Sequence, residues 1–389
     1  MRWFVNENLL SLRQRLALDA MRNQLQRYHW LQGFAGTGKS LILVHLMKQL
    51  ASLYPAAKLS FITFTNTLAN LVATTPAAAE LNNQVVVQTH TAFVKERKKY
   101  DFVFLDEVQD IRQSHLAIIR GLSGVLFVAG DFDQKIYDAD ISAEQILSLL
   151  NPEVHALKEV FRLTRRLCEA ALAILPESGL VEGSPTNTNA DVTINLAQAR
   201  SLDEECAWVW REAARRARPA DPSVVLFPNH EMLHDFACFA ARSSGMFSPP
   251  KPRRLGGRRD YTDFNLHFAR GRAPLTFLGN GFGSLTDSDN APLVYLMTMH
   301  SAKGLDFKNV FIPFLAEDAK LVGAKVLAQD PARDRRLLFV AVTRSRENLF
   351  LSYSGERPHP LVANLPGVVK IKLADNPSTT VDADEEDYF

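Results

Sequence analysis

The sequence predicts an α/β protein of two lobes, each a parallel sheet with flanking helices. Three observations predict it. In residues 28–130, short apolar runs (HWLQGF, KLSFITFT, DFVFLDE, GVLFVAG) alternate with helical patterns such as LILVHLMKQL, as expected of parallel strands joined by crossover helices. A second alternation follows Asn151, with SVVLFP, LVYLMTMH, NVFIPF and NLFLSYS. Between the first strand and first long helix of the first alternation stands a glycine-rich loop that suits phosphate. The expected division is a first lobe over residues 1–150 and a second over 151–374, with an acidic tail over 375–389. Residues 240–290, rich in Gly, Pro, Ser and Arg and weakly periodic, are expected to interrupt the second lobe as a basic insertion or loop region.

Within the first alternation, Leu43, Leu46, Met47 and Leu50 recur at helical spacing, so this helix should lay one apolar face on the sheet. The chain has 389 residues, 47% hydrophobic and 22% charged, enough for a sizeable core. A net charge of +1 excludes a global basic field, so a nucleic-acid surface would need local clustering. Cys168, Cys206 and Cys238 form no CxxC pair, which argues against a disulfide framework and fits a reduced, cytoplasmic protein. No apolar stretch is long enough to span a membrane, and the first residues do not read as an export signal.

The loop GFAGTGKS runs from Gly33 to Ser40. Gly33, Gly36 and Gly38, with Thr37, let the backbone wrap phosphates with its amides pointing inward; Lys39 reaches the terminal phosphates, and Ser40 holds Mg²⁺. The apolar strand of VFLDEVQD then delivers Asp106 to the metal and Glu107 to the attacking water. These residues point to ATP and Mg²⁺.

Together the motifs resemble, in order and wording, the UvrD/Rep group of superfamily 1A helicases, from about Gln14 to Ser352. The resemblance implies two RecA-like lobes and an ATP-driven motor on single-stranded DNA, with 3′ to 5′ movement. In SLRQRLAL, Gln14 resembles the adenine reader. ITFTNTLAN, with Phe64, Thr65 and Asn66, and THTAF, with Thr89 and His90, are similar to strand-contacting motifs. GDFDQKIY is similar to the motif in which Gln134 senses the terminal phosphate and Tyr137 meets the strand. EVFRLTRRL supplies Arg162; TMHSAKGLDF supplies His300 for the strand and Gly304 and Asp306 for the nucleotide, with Asp306 where the group usually carries Glu. RRLLFVAVTRSRENL supplies Arg344. Arg162 and Arg344 fall in the second lobe, so they would reach a γ-phosphate held by the first lobe only on closure, which makes ATP a clasp.

Departures accompany the likeness. Only VKERKKYD stands where the group inserts a helical subdomain, and residues 240–290 are short for the second one; the basic run from Lys95 reads as a surface turn. Ala139 occupies the place of a stacking ring, for which Phe64, Phe132 or Tyr137 could substitute. The insertion carries Lys251, Arg253, Arg254, Arg258, Arg259, Arg270 and Arg272 with Tyr261, Phe264 and Phe268 interleaved, a composition suited to phosphate contact and base stacking, or to an ordinary solvated loop. HEMLH from His230 fits a zinc-protease helix, but no third ligand is near, and it reads as a helix following the strand VVLFPN. Two functions stand: a translocase or helicase on single-stranded DNA, which could engage a tailed duplex, and a nucleic-acid-sensing ATPase subunit that switches a partner such as a nuclease. A scaffold that binds without hydrolysis is disfavoured by complete phosphate and metal motifs.

Overall fold

The structure, a computed structural model, describes residues 5–73, 84–187, 193–255 and 258–373. The expected acidic tail lies outside the described residues.

Six parallel strands form the first sheet: β1 (His29–Gly33), β2 (Leu59–Thr63), β3 (Val85–Thr89), β4 (Tyr100–Leu105), β5 (Ser123–Gly130) and β6 (Glu153–Leu157), in the order β3-β2-β4-β5-β1-β6. All five β2 residues are buried, as in parallel sheets covered on both faces. One cover is the helix Lys39–Leu53, which sets Ile42, Leu43, Leu46, Met47 and Leu50 against Phe61, Phe104 and Phe127. On the other face the helices Gln113–Gly121 and Ala143–Leu150 meet Trp30, Val103 and Leu105.

A small parallel ladder, β7 (Glu159–Thr164) with β8 (Ser184–Asn187), leads into the second lobe. That lobe's sheet contains β9 (Ile194–Ala199) and β10 (Ser223–Phe227). After an antiparallel hairpin of β11 (Arg253–Leu255) and β12 (Arg258–Asp260) come β13 (Leu275–Phe277), β14 (Val294–Thr298), β15 (Phe307–Ile312), β16 (Ser345–Ser354) and β17 (Val368–Lys372). Its order is β13-β14-β10-β15-β16-β9-β17, every pairing parallel. Helices Leu202–Arg216 and His230–Ser243 cover one face, Arg165–Ile174 and Arg333–Val342 the other. The molecule is thus α/β with two RecA-like lobes. No helix among the described residues is long and apolar enough to cross a membrane.

Three expectations are corrected. The first sheet does not end at residue 150: β6 pairs with β1 from His29↔Glu153 to Gly33↔Leu157, because its alternate apolar residue Leu157 joins the first-lobe core. Residues 240–290 are not a loop. They contain the end of the helix His230–Ser243, the hairpin, the helix Thr262–Arg270 and the edge strand β13. Tyr261, Phe264 and Phe268 are fully buried in the second-lobe core, with Tyr261 stacked on Phe277 at 3.5 Å between centroids, so they cannot stack on bases. Phe132 likewise packs edge-on against Trp30 within the first lobe.

Phe104 is sandwiched between Phe61 and Phe127, with centroids 6.2 and 5.2 Å away. Phe104→Ala should destabilise the first lobe by about 3–5 kcal/mol through lost transfer energy and a residual cavity. Urea unfolding followed by circular dichroism checks this; a shift of well under 1 kcal/mol would mean that the stack is not a packed core.

Candidate nucleotide site and nucleic-acid interface

The phosphate loop leaves the C-terminal end of β1, where parallel sheets open their ligand crevices. Gly36 and Gly38 have φ of 79° and 86°, a region L side chains rarely enter. Gly36 is required twice over, since a Cβ there would meet Cβ of Arg162 at 2.5 Å. The backbone amide of Phe161 donates to the Gly36 carbonyl at 2.9 Å, so β7 is tied directly to the loop. Thr37 Oγ1 donates to the Phe34 carbonyl at 3.0 Å, closing the turn. Lys39 starts the helix Lys39–Leu53 and donates to the carbonyls of Gly33 and Phe34 at 2.8 and 3.0 Å.

Gln14 braces this loop from outside. Its Oε1 accepts from the Ser11 amide in a capping box, and its Nε2 donates to the Thr37 carbonyl at 3.0 Å. Both ends of the amide are therefore engaged with the chain itself, while the side chain still borders the cavity.

Asp106 and Glu107 stand at the end of β4. Ser40 Oγ donates to Asp106 Oδ2 at 2.5 Å, so hydroxyl and carboxylate converge, and Asp106 Oδ1 accepts from the Glu107 amide. Glu107 has φ of 58°, a strained conformation for a side-chain-bearing residue, of a kind that clusters where function fixes the chain. The two carboxyls are buried alike but charged differently. Burial, and then the charge of Glu107, push Asp106 up to about 6. Burial also opposes the Glu107 carboxylate, but Lys303 and Lys39 outweigh it and hold Glu107 below its ordinary value. Gln109 Nε2 donates to Glu107 at 2.5 Å.

The second lobe closes the site. Arg344, 1% exposed, donates through Nη2 to Gln134 Oε1 at 2.7 Å and to the carbonyls of Val340 and Leu305 at 2.9 and 3.1 Å. Burial, and then the charge of Arg162, bring Arg344 down to about 9, so it stays protonated at neutral pH. Gln134 is held by Asp131, which accepts from its Nε2 at 2.6 Å. Arg162 Nε and Asp306 Oδ2 pair at 2.9 Å. Gly304 has φ of 82°, and a Cβ there would meet Leu68 Cδ2 of the first lobe at 3.0 Å, so the missing side chain lets the second lobe sit against Leu68. A cavity of about 360 Å³ results, bordered by Gln14, Lys39 and Glu107 on one side and Arg162, Asp306 and Arg344 on the other.

Two residues not singled out from the sequence belong to this junction. Lys303, 2% exposed, crosses from the second lobe to pair with Asp110, lies 3.6 Å from Glu107, and donates to the Gln134 carbonyl. Asp131 orients Gln134 and is pushed up to about 6 by burial. Each sits inside a motif quoted above, but only a buried partner reveals its importance.

Among the strand-contact candidates, Phe64 lies over His90 at 5.0 Å and over Tyr137 at 4.2 Å, and Tyr137 approaches His300 at 5.6 Å while its hydroxyl donates to the His300 carbonyl at 3.0 Å. The structure thus brings four candidates into one ring ladder spanning both lobes. Thr65 and Thr89 accept from the amides of Leu68 and Ala92 and cap the helices that Asn66 and His90 begin. Arg253, Arg254 and Arg258 are exposed on the hairpin, whereas Arg259 is engaged by Glu231 at 2.5 Å. HEMLH begins the helix His230–Ser243; His230 meets the Tyr261 hydroxyl at 2.6 Å and His234 the Pro249 carbonyl at 3.2 Å, so the two histidines serve packing.

A family model described as a UvrD-like helicase C-terminal domain matches residues 281–356, and one described as an AAA domain matches residues 14–140. ATP-dependent DNA helicase UvrD1 of Mycobacterium leprae is 41% identical over 76 residues, 18% of this chain and 10% of the relative. ATP-dependent DNA helicase Rep of Buchnera aphidicola is 43% identical over 65 residues, 16% and 10%. ATP-dependent DNA helicase PcrA of Staphylococcus aureus is 36% identical over 76 residues, 19% and 10%. Each match spans only 10% of the curated relative's own length. Among solved structures, the arterivirus nonstructural protein 10 helicase in complex with DNA aligns with a TM-score of 0.43 and 14% identity over 86% of this chain and 62% of that one. The PRRSV helicase aligns at 0.44 and 14% over 90% and 57%. The two family models, which take in the phosphate loop, the carboxylate strand and most of the motifs of the second lobe, together with these relatives support a UvrD-like helicase of superfamily 1A.

Proposed function

We propose that this chain hydrolyses ATP between its lobes and uses the cycle to move along single-stranded DNA in the 3′ to 5′ direction. The observation that carries the reading is the contact of Arg344 with Gln134 on a cavity that also holds Lys39, Glu107 and Arg162. It places a fixed positive charge of one lobe against the phosphate apparatus of the other, so lobe closure and phosphate chemistry are one event.

The site's residues divide the work. Loop amides and Lys39 take the phosphates. Ser40 and Asp106 would hold Mg²⁺; their oxygens already converge, and a hydroxyl with a carboxylate suits a hard cation. When bound, the ion would neutralise charge on the phosphate oxygens. Glu107, kept ionised by Lys303 and Lys39, is the group that orients water and accepts its proton as the terminal phosphoryl leaves ADP. Arg162 and Arg344 stabilise the transferring group. Gln14 and Asp306 face the base and ribose, with Gly304 giving the close approach. The ladder of Phe64, His90, Tyr137 and His300, with Thr65, Asn66 and Thr89 beside it, offers ring faces and hydroxyls to the strand.

A second reading has its own observation: only residues 97–99 join the helix His90–Glu96 to β4, where the resemblance implies a whole subdomain. A motor so trimmed fits a nucleic-acid-sensing ATPase subunit that switches a partner such as a nuclease. Unwinding of a tailed duplex by the chain alone should be poor under either reading. Efficient strand displacement over a long duplex, read by gel or fluorescence, would sink the idea of a trimmed motor.

Lys39→Ala and Glu107→Gln should each abolish ATP hydrolysis, with Glu107→Gln still binding ATP because the metal and phosphate ligands remain. Hydrolysis near the unmodified rate in Glu107→Gln would show that another group is the base. Single-stranded DNA should stimulate hydrolysis, and neutralising Arg253, Arg254, Arg258 and Arg259 should weaken binding. Three of these face solvent, so the slope of log affinity against log salt should flatten by about 2, at roughly 0.7 per phosphate contact. An unchanged slope would return the hairpin to an ordinary solvated surface.

A further inference from the structure

We infer that the first lobe carries a zinc-binding site built from His29, Glu153 and His155, at the end of the sheet away from the nucleotide. Sheet register assembles it. His29 opens β1 directly opposite Glu153 of β6, and Leu31 is opposite His155. Because side chains alternate along a strand, His29, Glu153 and His155 share one face. Gly33 lies four residue steps along β1 from His29, so the cluster stands about 13 Å from the start of the phosphate loop at roughly 3.3 Å per residue.

The donor atoms converge. One ligand atom from each residue lies within 4.8 Å of the others, and His29 Nδ1 is 3.1 Å from His155 Nε2. A tetrahedral zinc with Zn–N distances of about 2.05 Å sets its ligand nitrogens about 3.3 Å apart, so the two rings need only a small adjustment. His29 is fully buried, stacked on Phe127 at 5.3 Å and 7°, and its Nε2 is 2.9 Å from the Gln24 carbonyl. That carbonyl accepts a hydrogen bond from Nε2–H, which keeps the proton on Nε2 and leaves the Nδ1 lone pair facing the cluster, the way outer partners fix metal-binding histidines.

Glu153 supplies the independent sign. Its Oε1 accepts from Gln24 Nε2 at 3.4 Å, whereas its Oε2 is buried with no hydrogen-bond partner. A buried carboxylate oxygen without a donor is costly, and a cation between it and the two rings removes the cost. Burial lowers both imidazoles below their ordinary value. Two imidazoles and a carboxylate suit zinc rather than magnesium or calcium, and three ligands leave the fourth position to water. The ion would clip the edge strand β6 to β1 and does not depend on the reading of the nucleotide site.

The test uses the full chain, stripped with chelator and titrated with zinc and then cobalt. One equivalent should bind, cobalt should show the visible absorption of a tetrahedral complex, and zinc should raise the melting temperature. His155→Gln and Glu153→Gln, on the more accessible edge strand, should each lose at least the roughly 10–100-fold in affinity that removal of an outer partner costs, together with the cobalt spectrum. His230→Ala with His234→Ala should keep both. Absence of binding, or binding unchanged in His155→Gln and Glu153→Gln, overturns the inference, as does loss of binding in the His230/His234 variant alone.

Discussion

A lysine buried between two lobes dictates how they sit. Lys303 enters from the loop after β14 and finds Asp110, Glu107 and the Gln134 carbonyl of the first lobe. An ammonium so enclosed is tolerable only when paired and hydrogen-bonded, and removing one partner of a buried pair costs far more than the pair gains. The lobes are thus held in one register, and the contact of Arg344 with Gln134 and the packing of Gly304 beside Leu68 depend on it. The apolar cluster that includes Ala35, Leu68 and Leu71 with Leu163, Met299 and Leu305 fills the space around these polar contacts.

The same lysine separates two neighbouring carboxylates. Asp106 and Glu107 are both buried, yet burial and mutual repulsion raise Asp106 while Lys303 and Lys39 keep Glu107 low. Adjacent acids in environments that pull them apart are suited to different tasks, one toward a cation and one toward a proton. Because Lys303 belongs to the other lobe, the state of Glu107 is coupled to closure.

Aromatic residues show how burial decides between meanings that composition leaves open. Tyr261, Phe264 and Phe268 lie among arginines in the sequence, but their periodicity belongs to a helix laid on the second sheet, and all three are buried. Arg253, Arg254 and Arg258 of the neighbouring hairpin remain at the surface. Phe64, Tyr137, His90 and His300, distant in the chain, instead form a ladder at the junction of the lobes.

By itself the sequence determined what depends on short-range chemistry. The phosphate loop is read from eight consecutive residues whose glycines meet a backbone requirement, the carboxylate pair from an apolar strand that ends in charge, and the two-lobe α/β class from alternating apolar runs. What depends on partners far apart in the chain was decided by tertiary structure. Lys303 and Asp110 are 193 residues apart, and Arg344 and Gln134 are 210 apart. Likewise β6 reads as the start of a new lobe until its pairing with β1 draws it into the first. Residues 240–290 read as a loop because short elements carry little periodicity, and only the core they join holds them as helix and edge strand. Local propensity is written in neighbouring residues, whereas the pairing of a buried charge or an edge strand exists only once the chain has brought its distant segments together.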